Sequence, residues 1–163
     1  MNRPRYHIEI SIQDQTLKLK AGEDLIREYS VSTSATGAGE ARDSLRTPRG
    51  RHEISEKIGA GCEPDTVFVG RRPTGEVYAP ALRDRYPDRD WILTRILRLA
   101  GTEDGVNRGG EVDSHDRYIY IHGAPDEVLM GRPGSHGCIR MRNADILELF
   151  ELVEAGTPVF IKD

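Results

Sequence analysis

The chain has 163 residues, a formal net charge of −4 and a hydrophobic fraction of 37%. That length suits one domain with a real core, taken as residues 1–163. The arginines are scattered among acids rather than massed, which excludes a basic nucleic-acid footprint.

Two cysteines, Cys62 and Cys138, are too few for a disulfide framework. Pairing them would disable the motif around Cys138, so Cys62 reads as small filler in a glycine-rich loop. No stretch approaches the roughly 20 apolar residues of a membrane span. Residues 6–12 alternate where a secretory signal needs an unbroken apolar run, so the expectation is a cytoplasmic protein.

Tyr6, Ile8, Ile10 and Ile12 face one way, and His7, Glu9, Ser11 and Gln13 face the other. That period of two predicts a half-buried strand. Residues 16–20 repeat it through Leu17 and Leu19, and residues 25–33 continue with Leu25, Tyr29 and Val31 inward. The three read as an antiparallel meander. Residues 34–44 lack an apolar period and read as a surface loop. Thr47-Pro48-Arg49-Gly50 is a turn, and residues 51–58 resume strand character. His52, like His7, is expected outward and solvated. Short strands are expected at residues 68–70 and 76–78.

Residues 90–100 switch period. Ile92, Ile96 and Leu99 recur at helical spacing between an Asp90 cap and a Gly101 stop. Residues 101–116 form a loop, and residues 118–121 a strand that delivers His122. Asn143 is placed to cap a second helix with an Ile146, Leu149, Phe150, Val153 stripe. Residues 158–161 close the chain as a strand. The sum is a mainly-β domain with two short helices, not a doubly wound parallel sheet.

Chemistry concentrates in two histidine-glycine pairs. His122-Gly123 precedes Ser135-His136-Gly137-Cys138-Ile139-Arg140-Met141. A thiol attacks carbonyls as its thiolate, so a nucleophilic Cys138 needs a neighbouring base, and His122 can supply it. The imidazole needs a partner to orient it, either the Gly123 carbonyl or Asp126. The N–H groups of Gly137 and Cys138 can face a developing oxyanion, where one donor is worth about 10²–10³ in rate. His115, His122, His136 and Cys138 are capable zinc ligands but lack paired spacing, so no metal or cofactor is expected.

These residues resemble the L,D-transpeptidase catalytic domain, the YkuD family. Val31-Ser32-Thr33-Ser34, the Thr47-Pro48, Gly50, His52 and Ile54 pattern, and Gly156-Thr157-Pro158-Val159 resemble family segments too. The resemblance implies a β-sandwich or barrel-like fold with the site under a flap. It implies Cys138 as nucleophile, His122 as base and Gly123 as the carbonyl that orients it. His136 would line the site and assist the oxyanion region with Gly137 and Cys138. Ser135 and Arg140 would meet substrate, or Arg140 would brace the motif through an ion pair.

The implied substrate is a peptidoglycan tetrapeptide or muropeptide, cut between meso-diaminopimelate and D-alanine through a Cys138 thioester. Water as acceptor gives an L,D-carboxypeptidase. An amine gives an L,D-transpeptidase that cross-links wall or exchanges D-amino acids. The cytoplasmic expectation favours water, in murein recycling. The family also implies a covalent carbapenem adduct on Cys138. A non-catalytic stem-peptide binding module would lack the thiol or the base, and both are present here.

Overall fold

A computed structural model describes residues 5–163. Three strands open the chain: β1 (Tyr6–Ser11), β2 (Thr16–Ala21) and β3 (Asp24–Ser32). After a long irregular stretch come β4 (Gly50–Ile58) and a hairpin of β5 (Thr66–Val69) and β6 (Arg72–Val77). A short helix α1 (Pro80–Arg85) leads to β7 (Ile92–Gly101). Then follow β8 (Tyr120–Ala124), β9 (Ile139–Arg142), helix α2 (Asn143–Leu152) and β10 (Pro158–Lys162).

The strands form one sheet in the order β4-β10-β1-β2-β3-β9-β8-β7-β5-β6. β4 also pairs with β7, which closes the sheet from β4 round to β7 into a barrel. Hairpin β5–β6 hangs from β7 outside that ring. Alternation fills the interior: Ile8 and Ile10, Leu17 and Leu19, Leu97 and Leu99, and Val159 and Ile161 share one core. Helix α2 packs on β7, β8 and β9. Its Ile146, Leu149 and Phe150, with Val153 just beyond its end, are buried in the same core, as the stripe predicts.

The architecture is the mainly-β closed sheet with two helices that the sequence suggests, but several elements differ. Residues 90–100, expected as a helix, lie mostly in strand β7. Leu93 pairs with Gly123 and Ile96 with His122, so Thr94 and Arg95 are extra in β7. This bulge breaks the period of two. Ile92 and Ile96, four apart, join the same cluster, and that spacing is common to a strand face and a helical face. The second helix is α1, whose residues include no buried side chain to give it a stripe. Strand β8 starts two residues later than expected, because Tyr118 turns left-handed at φ 56°.

Leu25, expected inward, is 53% exposed. The register of β2 and β3 shifts between Leu19 and Lys20, which turns Leu25 out while Tyr29 and Val31 stay in. The meander β1-β2-β3 is antiparallel as expected, yet β1–β10 and β8–β9 pair parallel. Asn143 does not cap α2. Arg142 holds the cap position, and the Asn143 side chain points into the protein.

His52, expected to be solvated, is 2% exposed. Its Nδ1 lies 3.0 Å from the Gly50 carbonyl and its Nε2 2.8 Å from Ser114 Oγ. A carbonyl only accepts, so Nδ1 carries the proton. Burial pushes this imidazole down from 6.5 to about 4, against the Gly50 carbonyl, which raises it. The unfolded chain therefore takes up a proton on this ring before the folded one does. Stability present above pH 6.5 is lost as pH falls towards 4. Urea unfolding at pH 7 and pH 4.5 should show the drop, and His52→Asn should shrink it by about 2 kcal/mol. An unchanged drop would refute a neutral buried His52.

Candidate active site

Parallel pairing of β8 and β9 builds the site. Ile121 stands beside Ile139, His122 beside Arg140 and Gly123 beside Met141. Ile121, Ile139 and Met141 turn into the main core and are fully buried. Period two then puts Tyr120, His122, Cys138 and Arg140 on the opposite face. There Cys138 packs against Tyr120, Ile96 and Phe68, with Cys62 and Ile92 in the same cluster. Cys62 thus lies in the loop between β4 and β5, as expected, and fills part of this cluster, and both thiols are free.

The turn before Cys138 is tightly held. Gly137 sits at φ 125°, and a side chain there would press on the Arg46 carbonyl. Ser135 is 2% exposed; its Oγ donates to the Cys138 carbonyl at 2.5 Å and accepts the Gly137 N–H at 3.2 Å. Thr47 Oγ1 donates to the Gly137 carbonyl at 3.0 Å. Of the two expected oxyanion donors, Gly137 N–H is therefore occupied by Ser135, which leaves that of Cys138. Arg140 donates to the Gly134 carbonyl at 3.0 Å and to Asp90 at 3.3 Å, so in this state it braces the motif.

His122 is 1% exposed. Its Nδ1 meets the Gly123 carbonyl at 2.6 Å, and since that carbonyl only accepts, Nδ1 carries the proton. The Nε2 lone pair is left as the basic site. Asp126, the other candidate to orient the ring, bonds Asn143 instead. Burial holds this imidazole below its ordinary range, opposed by Asp90 and the Gly123 carbonyl and reinforced by Arg140.

The thiol is also neutral. Cys138 Sγ donates to the Tyr118 carbonyl at 3.4 Å and accepts the Tyr120 N–H at 3.3 Å. Burial pushes it up to about 12; the Tyr120 N–H opposes this, Asp90 adds to it, and Arg140 and Arg117 oppose it. Among the described residues, the thiol makes no hydrogen bond to His122.

Hairpin β5–β6 covers this face. Arg71 at its turn donates to Tyr120 Oη at 3.1 Å and lies 4.9 Å over the Tyr118 ring. His136 is exposed and lines two clefts. One, of about 350 Å³, includes Asp90, Trp91, Gly134 and Arg140. The other, of about 210 Å³, includes Leu45, Arg117 and Tyr118. Among the described residues, no three His, Cys, Asp or Glu side chains converge to hold a metal, and no helix is long and apolar enough to cross a membrane.

The model of the L,D-transpeptidase catalytic domain, YkuD, matches residues 5–161. The chain belongs to that family. The putative L,D-transpeptidase YkuD of Bacillus subtilis is 24% identical over 161 residues, 96% of this chain and 65% of that protein. The putative L,D-transpeptidase YqjB of the same organism is 41% identical over 56 residues, 34% of this chain and 32% of that protein. Among solved structures, an L,D-transpeptidase from Mycobacterium smegmatis is similar with a TM-score of 0.57 and 20% identity, over 98% of this chain and 59% of that one. L,D-transpeptidase 3 from Mycobacterium tuberculosis, in complex with a faropenem-derived adduct, gives 0.60 and 18%, over 98% and 61%. The chain spans less than two thirds of each of these relatives' lengths.

Sequence reasoning missed Tyr118, whose carbonyl holds the thiol proton, and Thr94, which carries no motif signal. It also missed Asp90, read as a helix cap, which instead pairs with Arg140. The neutral thiol sets a test. Iodoacetamide alkylation of Cys138, followed in a Cys62→Ser background, should keep rising above pH 9. At pH 7 it should run about 10³-fold slower than in the urea-unfolded chain. A rate that levels off near neutral pH would instead reveal a thiolate–imidazolium pair.

Proposed function

We propose that this L,D-transpeptidase-family chain is a cysteine acyl-transfer enzyme acting on peptidoglycan stem peptides. The observation that carries the reading is the Gly123 carbonyl at 2.6 Å from His122 Nδ1. It leaves Nε2 as a base on the face that bears Cys138. In the proposed reaction the thiol turns from the Tyr118 carbonyl, gives its proton to Nε2 and attacks the carbonyl between meso-diaminopimelate and D-alanine. The Cys138 N–H faces the developing oxyanion. The C–N bond breaks, the imidazolium protonates the departing D-alanine amine, and a thioester remains.

Water then attacks that thioester with His122 again as base, and the tripeptide leaves as its carboxylate while the thiol regains its proton. This is L,D-carboxypeptidase activity, placed by our reading on soluble muropeptides in the cytoplasm, in murein recycling. Transpeptidation to an amine, or exchange of D-amino acids, is the alternative that shares the acylation half.

Incubation with a disaccharide-tetrapeptide, followed by mass, should show loss of one alanine without dimer, and Cys138→Ala should abolish it. Dimer or exchange as the main product would move the assignment to transpeptidation. Activity surviving in Cys138→Ala would remove the cysteine mechanism. Fractionation of the full-length protein tests the location.

The relative with a faropenem-derived adduct supports one more expectation. Intact-protein mass after carbapenem exposure should show a covalent adduct in the wild type and none in Cys138→Ala.

A further inference from the structure

Behind the base lies a buried network that neither a motif nor the proposed reaction uses. It starts at the bulge in β7. Thr94 is fully buried and left-handed at φ 75°. A β-branched residue in that region is an outlier, which persists only where its surroundings over-determine it. They do so here. Thr94 Oγ1 accepts the Asp65 N–H at 3.0 Å, so its own proton is free to reach Asn143 Oδ1 at 2.6 Å. The Thr94 carbonyl accepts Arg95 Nη1 at 2.6 Å. Asn143 Nδ2 donates to Asp65 at 2.8 Å and to Asp126 at 3.3 Å. Two carboxylate acceptors on one side and a hydroxyl donor on the other leave the amide a single orientation.

This network closes on Gly123. A side chain at Gly123 would collide with Asn143 Oδ1, lie 2.6 Å from the Leu93 carbonyl and 3.1 Å from Thr94 Cβ. Gly123 is therefore clamped between the bulge and the first residue of α2. Its carbonyl is the group that fixes the His122 proton on Nδ1. Asn143 also follows β9 directly, so it ties the strand after Cys138 to the strand of His122.

We propose that Thr94 and Asn143 are positioning residues for His122, acting through the Gly123 carbonyl to hold the imidazole with Nε2 free towards Cys138. The Thr94 hydroxyl is the joint: among the described residues it is the only group that bonds both Asn143 and the Asp65 backbone. This rests on the reading of His122 as the base for Cys138. Ionisable groups facing the ring are Asp90, Arg140 and, by this reading, the Cys138 thiol, and none belongs to the network.

The test is the pair Thr94→Val and Thr94→Ser, with folding checked by circular dichroism and thermal unfolding. Valine keeps the shape and loses the hydroxyl; serine keeps the hydroxyl. Thr94→Val should lower kcat about 10- to 10²-fold with KM little changed. The acid limb of its pH profile should move down, because the Gly123 carbonyl, which raises this imidazole, then holds Nδ1–H less well, and Thr94→Ser should restore both. Nitrogen-15 spectra of histidine-labelled protein should show the fixed Nδ1–H form of His122 in wild type and Thr94→Ser, and tautomer exchange in Thr94→Val. Should Thr94→Val not fold, Asp65→Ala, at a half-buried site, should give the same shifts in smaller measure. A folded Thr94→Val with wild-type kcat, pH profile and His122 spectrum overturns the proposal, as does equal impairment in Thr94→Ser. The spectra need no substrate. An inactive wild type with these spectra as expected would therefore sink the acyl-transfer reading and leave the network standing.

Discussion

The parallel ladder between β8 and β9 is the constraint on which the site depends. In a parallel pair the residues run in step, so one register fixes every neighbour. Here that register is held by the core: Ile121, Ile139 and Met141 are buried at 0% exposure. A slip of one residue would turn Cys138 inward and put Ile139 on the outer face. The burial that stabilises the barrel thus also sets thiol and imidazole on one side. Parallel strands need a connection that returns to the starting end, and residues 125–138 are that connection. It ends in Gly137 and Cys138, where the backbone turns left-handed just before β9 begins.

Left-handed backbone recurs around this ladder. Thr94, Tyr118 and Gly137 lie at φ 75°, 56° and 125°. Only glycine adopts such angles freely; each of the other two costs on the order of 1–3 kcal/mol. Each has a visible use. Thr94 forms the bulge beside Gly123, Tyr118 offers its carbonyl to the thiol, and Gly137 lets Ser135 reach over to the Cys138 carbonyl. At Thr94 and Gly137 such backbone survives because buried hydrogen bonds surround it. Leaving one of those partners unpaired would cost about 1–3 kcal/mol more.

What could be read from the sequence follows the same division. The strands with clean alternation, such as residues 6–12, were legible because one face is buried and the other wet. The Cys138 motif was legible because its residue types are dictated by chemistry. Residues 90–100 misled because consecutive residues of β7 are buried around a two-residue bulge, which hides the period of two, and the four-residue spacing of Ile92 and Ile96 is common to strand and helix. Leu25 misled for a like reason, a register shift against β2. Asn143 looks like a cap by type and position, and only the fold brings Thr94 and Asp65 beside it. Bulges and long-range polar contacts leave no periodic trace, so the parts of the site built from them were invisible. His52 shows the converse: its alternation was visible, but which face is buried depends on Ser114, far along the chain.

The neutral state of both groups shapes the proposed chemistry. Raising a thiol from 9 to about 12 disfavours the thiolate by on the order of 4 kcal/mol. A preformed thiolate would also need an imidazolium beside it, and burial lowers that affinity for protons as well. Both penalties fall on separated charge, so the proposed reaction moves the proton as the sulfur attacks. Substrate entry then has a definite task. In the proposed reaction it must draw Sγ away from the Tyr118 carbonyl, and Arg71 of hairpin β5–β6 lies over the ring of that same residue. In the proposed hydrolysis the same neutral imidazole serves water in the second half, because Nε2 is free again once the leaving amine has taken its proton.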